Sequence, residues 1–228
     1  LRWFLYRFAG TITANSRAAL ETMKAYVPAS KLVYLPNPLP AVSRRPVSPE
    51  PVILAVGRLN HQKAHDVLID AFSRVAGVHP EWRLWILGEG DLRPVLERKV
   101  KELNLVDRIH LPGWVEDPYQ HYLRAGMFVL PSRFEGTSNA LLEAMGCGLP
   151  VIVSDSCPGS TDLIEDEVSG IVVPVDDTDS LADAMTRLIA DEGMRSRMGS
   201  ASREKIRSLE KNDDVLDVWN TVVLGNNG

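Results

Sequence analysis

The chain has 228 residues, of which 45% are hydrophobic and 24% charged, enough apolar material for a sizeable core in one or two domains. Its net charge of -5 argues against nucleic acid or an anionic membrane as the main partner, because an acidic surface attracts neither. Two cysteines, Cys147 and Cys157, suit a reducing compartment and exclude a disulfide scaffold, and no apolar run reaches the roughly 18 residues needed to span a bilayer.

The opening LRWFLYRFAG sets Trp3, Phe4, Tyr6 and Phe8 around Arg2 and Arg7. It could lie on a membrane surface, but a helix packed on a neighbouring domain is the favoured reading. TITANS follows as a short strand with a polar turn, then an amphipathic segment from Arg17 to Tyr26, then a strand in KLVYLPNPLP that prolines stop. NPLPAVSRRPVSPEP is the clearest linker, so a boundary is expected near Pro51.

Beyond it, strand and helix alternate. PVILAVG, RLWILG, RIHLPG, GMFVLP, PVIVSD and GIVVP are nearly continuous apolar runs, the pattern of strands buried on both faces. Helical periods lie between them, at Lys63 to Ala76, Leu92 to Leu103, Pro118 to Arg124, Asn139 to Cys147 and Leu181 to Ala190. This alternation predicts an α/β fold with a doubly wound, parallel, Rossmann-like sheet. A charged helix from Asp191 to Leu209 follows, then a last amphipathic one carrying Val215, Val218, Trp219 and Val222. The expected division is 1–50, 51–209 and 210–228.

In such a sheet ligands bind outside the carboxyl ends of the strands, at a switch in strand order. Two stretches there carry chemistry. In AVGRLNHQK, Gly57 permits close backbone approach, Arg58 leaves the strand end and Lys63 falls where the next helix starts. A guanidinium fork, an ammonium and helix N–H groups are what a diphosphate needs, although an Arg and a Lys in a surface loop are the plainer reading. In SRFEGTSNALLEAMG, Thr137, Ser138 and Asn139 are candidate N-caps, and Glu143 lies one turn inside the helix on the face of Asn139. Glu135 sits in the loop before it. A helix N-terminus receives anions, and a carboxylate one turn deeper can accept from a vicinal diol such as a ribose. Taken alone, Glu143 could equally complement the helix dipole and Glu135 be a solvated acid.

VGRLNHQK, LWILGEGDLRPVLE, IHLPGW, FVLPSRFEGTSNALLEAMGCGLPVIVSD and SGIVVPVDDTDSLADAM stand in an order that resembles the carboxyl-terminal, donor-binding half of retaining glycosyltransferases of family four, which have the GT-B fold. The resemblance covers nearly the whole chain. The family's paired glutamates, with seven residues between them, correspond to Glu135 and Glu143. The resemblance implies catalytic roles for Arg58, Lys63 and Glu135. Arg58 and Lys63 would hold the donor diphosphate, Glu143 the ribose hydroxyls and Glu135 the donor sugar. Gly57 would allow the close approach, and the N–H groups of Gly136, Thr137, Ser138, Asn139 and Leu142 would reach the sugar and phosphates. Gly113 and Trp114 would lie by the base. It further implies transfer without a metal or other cofactor, from a nucleoside-diphosphate sugar, with a UDP-sugar expected. The acceptor would be a glycan or lipid-linked sugar held by an amino-terminal domain of roughly another 150 residues, mostly missing here. The full-length enzyme would be cytoplasmic, at the inner face of the cell membrane as a peripheral protein, with no nucleic-acid partner.

The sequence departs from the family's pattern at Ala64, where Gly is frequent, and at Thr137, where an aromatic is. Asp177, Thr178 and Asp179 spell the Asp-any-Asp pattern of metal-dependent transferases of another fold, but they precede a helix, where capping explains them. The five histidines share no metal-ligand spacing, and Gly88 to Gly90 is too short for a dinucleotide fingerprint. Two alternatives stay open, a non-catalytic nucleotide-sugar-binding subunit and a GT-B nucleotide-sugar epimerase.

Overall fold

The structure is a computed structural model that describes residues 6, 8–35, 37, 49–156, 158–212, 219 and 220. Trp3, Phe4, most of the linker, Cys157 and the valines of the expected last helix lie outside the described residues.

Six parallel strands form the main sheet: β3 (Val52–Val56), β4 (Arg83–Leu87), β5 (Ile109–Gly113), β6 (Met127–Leu130), β7 (Val151–Ser154) and β8 (Ile171–Val173). The spatial order is β5-β4-β3-β6-β7-β8. The chain therefore winds outward from β3 in one direction, then returns to the centre at β6 and winds outward in the other. The carboxyl ends of β3 and β6 flank the point of reversal, where a crevice opens. β3, β6 and β7 are buried on both faces, as their unbroken apolar runs require.

Helices cover both faces. On one side α2 (His65–Ala76), α3 (Arg93–Glu102) and α7 (Thr178–Ala190) pack through Leu68, Phe72, Leu96, Met185 and Leu188 against Ile53, Leu84, Ile86 and Ile152. On the other, α4 (Tyr119–Arg124), α5 (Asn139–Gly146) and α8 (Glu192–Asn212) bring Tyr122, Leu141, Met145 and Ile206 onto Leu54, Phe128, Leu130 and Val153. A short helix, α6 (Pro158–Thr161), follows β7. Asp177 caps α7 by accepting from the Ser180 N–H at 3.0 Å.

A smaller unit precedes the main sheet. β1 (Ile12–Ala14) and β2 (Leu32–Tyr34) pair in parallel, joined by α1 (Arg17–Met23). It touches the main domain where α5 begins. The Thr137 hydroxyl donates to the Asn15 carbonyl at 2.7 Å, and the Asn37 amide donates to Thr137 O at 3.2 Å and Asn139 Oδ1 at 2.5 Å.

Candidate functional site

A cavity of about 690 Å³ opens at the carboxyl ends of β5, β4, β3 and β6. β3 and the turn after it contribute Val56, Gly57, Arg58, Asn60, Gln62 and Lys63; β4 contributes Leu87, Gly88 and Glu89. The loop after β5 adds Trp114, Val115, Glu116 and Pro118, and the loop after β6 adds Glu135. The residues from β3 and β6 face each other across the point where strand order reverses.

Local geometry explains why Lys63 reaches this cavity. His61–Lys63 is a single 3₁₀ turn whose start is capped by Asn60, with Oδ1 accepting from the Lys63 N–H at 3.2 Å. Ala64 then takes φ 50° and ψ 36°, breaking the turn from α2. Lys63 therefore belongs to the turn, and the expected helix from Lys63 begins only at His65. The lysine stem lies across Gly57, where an added Cβ would come within 3.1 Å of Lys63 Cδ and Cε. Its ammonium is bonded to Glu135, with the side chains 15% and 16% exposed. Arg58 is exposed on the cavity wall.

The turn after β4 buttresses this loop by backbone contact. The Leu59 N–H donates to Glu89 O at 2.8 Å and the Gly57 N–H to Leu87 O at 2.9 Å. A Cβ on Gly88, whose φ is 139°, would fall 2.1 Å from Gly57 O, so only glycine fits. Gly88 to Gly90 thus turns the chain beside the cavity. Gly113 takes φ 91°, a backbone conformation that strains an L side chain, and its neighbour is the Glu89 carboxylate, 2.6 Å from where a Cβ would stand. Glu89 accepts from Arg93 Nε and Nη2, each at 2.9 Å. Trp114 beyond it is 72% exposed, an apolar plate at the rim.

Arg133 ties the β6 loop to the β3 loop. Its guanidinium reaches Asp66 at 2.8 Å, Asp176 at 2.8 Å and the His61 carbonyl at 2.8 Å, and the two carboxylates, Asp66 first, raise its already high pKa. The same bond keeps the Asp66 carboxyl below its usual value against the opposing effect of burial. His65, 2% exposed beneath these loops, is lowered to about 4, first by burial and then by the neighbouring Lys63 charge.

Glu143 does not line the cavity. It is half-buried on α5 with Tyr122 of α4 beside it; burial raises its carboxyl while the tyrosine hydroxyl favours its charged form. Gly136, Thr137, Ser138 and Asn139 lie beyond the cavity lining, toward the β1–β2 unit. The expected capping of α5 is absent: Ser138 stands at the cap but its side chain makes no cap bond. Thr137 and Asn139 are engaged with Asn15 and Asn37 instead. The Leu142 N–H is bonded to Ser138 O at 3.1 Å inside the helix and the Ser138 N–H faces Ser160 Oγ at 3.4 Å, so neither is a free donor. Asn60, Gln62, Val56, Leu87, Val115, Glu116 and Pro118 were not singled out from the sequence as site residues, although Val56 and Leu87 are the last residues of β3 and β4.

A second cavity, of about 610 Å³, lies at the opposite ends of the strands, beside Gly126, Pro150 and α8. Its arginines already have partners: Arg203 donates to the Gly146 and Cys147 carbonyls, and Arg195 to those of Leu188 and Ile189. Among the described residues no three His, Cys, Asp or Glu side chains gather in a cluster that could hold a metal.

The family described as "Glycosyl transferases group 1" matches residues 42–205. A relative in Campylobacter jejuni, the N-acetylgalactosamine-N,N'-diacetylbacillosaminyl-diphospho-undecaprenol 4-alpha-N-acetylgalactosaminyltransferase, is 33% identical over 159 residues, covering 70% of this chain and 43% of that protein. The lipopolysaccharide core biosynthesis glycosyltransferase LpsE of Rhizobium meliloti is 28% identical, covering 74% of this chain and 48% of its own length. The chain thus spans about half the length of these relatives. Among solved structures, an S. aureus TarM mutant in complex with fondaparinux, alpha-GlcNAc-glycerol and UDP matches with a TM-score of 0.86 at 22% identity, covering 94% of this chain and 44% of that one. Sucrose-phosphate synthase from Thermosynechococcus elongatus matches with a TM-score of 0.82 at 26% identity, covering 94% of this chain and 58% of that one. The fold is the Rossmann-like half of a GT-B glycosyltransferase.

Proposed function

The chain belongs to the glycosyl transferases group 1 family, and from that premise we propose that it is the donor-binding part of a retaining, family-four enzyme that takes a sugar from a UDP-sugar. The observation that carries this reading is the meeting of Arg58, Lys63 and Glu135 at the crevice between β3 and β6. The guanidinium and the ammonium would bind the diphosphate and stabilise the negative charge that builds on it as the bond to the sugar breaks. These two side chains would do this without a metal ion. Glu135 would accept from hydroxyls of the donor sugar, and Trp114 would offer its face to the base. UDP as the nucleotude carrier is supported by the UDP named with the TarM structure. An acceptor glycan or lipid-linked sugar is supported by the relatives named for diphospho-undecaprenol and lipopolysaccharide core. The acceptor would be held by a further domain of the whole protein, whose place is at the inner face of the cell membrane.

Ribose recognition by Glu143 is the part of the proposal that asks most of the protein, because its half-buried carboxylate, with Tyr122 beside it, is outside the cavity lining. The test is thermal. UDP at 100 times its Kd stabilises the chain by about 2.7 kcal/mol, a rise of several degrees in Tm. Arg58→Ala combined with Lys63→Ala is expected to remove that rise. A double variant that responds as the parent does would take both residues out of the site.

A further inference from the structure

Lys63 already has a partner within the protein: its ammonium is bonded to Glu135. The two side chains are 15% and 16% exposed, so the pair is shielded from the water and salt that weaken surface ion pairs. It is also held together by the backbone. The Arg133 N–H donates to Gln62 O at 2.8 Å, the Gln62 amide donates to Phe134 O at 3.0 Å, and Arg133 Nη1 donates to His61 O at 2.8 Å. These bonds fasten residues 61–62 to 133–134, and so set Lys63 and Glu135 opposite each other. The stem of Lys63 rests on Gly57 and Ser132 Oγ stands 3.4 Å from the paired Glu135 oxygen, so both ends of the contact are confined.

A diphosphate entering the cavity therefore competes for Lys63 with a carboxylate that already engages it. Breaking a shielded pair leaves Glu135 without its counter-charge, an expense that only new hydrogen-bond donors can offset. An intact nucleotide sugar brings such donors in its sugar hydroxyls. The nucleotide left after transfer does not. Resting on the nucleotide-sugar reading above, we propose that Glu135 competes with the diphosphate for Lys63 and so makes the site hold the spent nucleotide more weakly than the donor. Glu135 is then a specificity-determining residue for release as well as a contact for the sugar.

The experiment is calorimetric titration of inorganic pyrophosphate, UDP and a UDP-hexose into the parent chain, Glu135→Gln, Lys63→Met and the double variant. Glu135→Gln is expected to bind pyrophosphate and UDP about tenfold more tightly than the parent, the scale of one charge-assisted contact. The gain for the UDP-hexose is smaller, and no gain occurs in the Lys63→Met background. Glu135→Asp, which draws the carboxylate back by one methylene, moves affinity in the same direction and serves if the glutamine variant unfolds. Pyrophosphate affinity unchanged or weakened by loss of the Glu135 charge overturns the proposal, as does a gain that persists without Lys63, or failure of every variant to bind pyrophosphate. Tighter pyrophosphate binding with no response to UDP leaves the competition standing and removes the nucleotide reading.

Discussion

Ala64 holds a left-handed backbone, φ 50° and ψ 36°, at a fully buried position between the Lys63 turn and α2. An L-residue there is strained by about 1–2 kcal/mol, which glycine would relieve. Ala64→Gly is expected to raise stability in urea by less than about 1 kcal/mol, because the loss of a buried methyl, about 0.8 kcal/mol, and the wider freedom of glycine in the unfolded chain offset most of the relief. A lower midpoint would show that the methyl outweighs the strain. The neighbouring His65 gives a pH dependence. Its value falls from 6.5 to about 4 on folding, so between these values the unfolded chain binds the extra proton. Stability due to neutral His65 is present above 6.5 and drains as pH falls toward 4, by up to about 3 kcal/mol. Melting curves across this window should show the loss in the parent and a reduced loss in His65→Val; an equal slope in both would contradict the assignment.

At the scale of elements, the site is a joint between two loops. Arg133, with a side chain only 14% exposed, spans from the β6 loop to Asp66 on α2 and Asp176 before α7. Arg133→Ala leaves both acids without their partner and unfastens the loop that carries Glu135, a change expected to lower stability by about 2 kcal/mol. Arg133→Lys keeps the charge but not the fork, and should recover only part of this in thermal melts; full recovery would mean that the geometry of the fork is immaterial. None of this was legible in the sequence, because the partners of Arg133 are 67 and 43 positions away. The strands of the main sheet were legible, since each lies in a nearly continuous apolar run, although β5 at the sheet edge exposes His110 and Pro112. Helix starts were less so. α2 begins at His65 because Ala64 turns left-handed, which an alanine does not announce. α6 spans Pro158–Thr161, too short to show a helical period. The caps expected from Thr137 and Asn139 failed because the Asn15 and Asn37 of the β1–β2 unit bind those side chains first.

For the whole molecule, alternating strands and helices announced a doubly wound sheet, but not the order β5-β4-β3-β6-β7-β8 that sets the end of β3 beside that of β6. That order brings Lys63 onto Glu135 across 72 residues of chain. Among the described residues, cavities of comparable size lie at opposite ends of the sheet, about 690 Å³ at the carboxyl ends and about 610 Å³ at the amino ends. The functional account rests on the first. The most direct measurement is titration of the ¹⁵N-labelled chain with UDP, following each backbone amide. The account predicts shifts concentrated on residues 57–63, 88–89, 114–116 and 135–136, all at the carboxyl ends of the strands. Shifts confined to Gly126, Gly148 and the Arg195 to Arg203 stretch of α8, with the Arg58 and Lys63 amides unmoved, would contradict it.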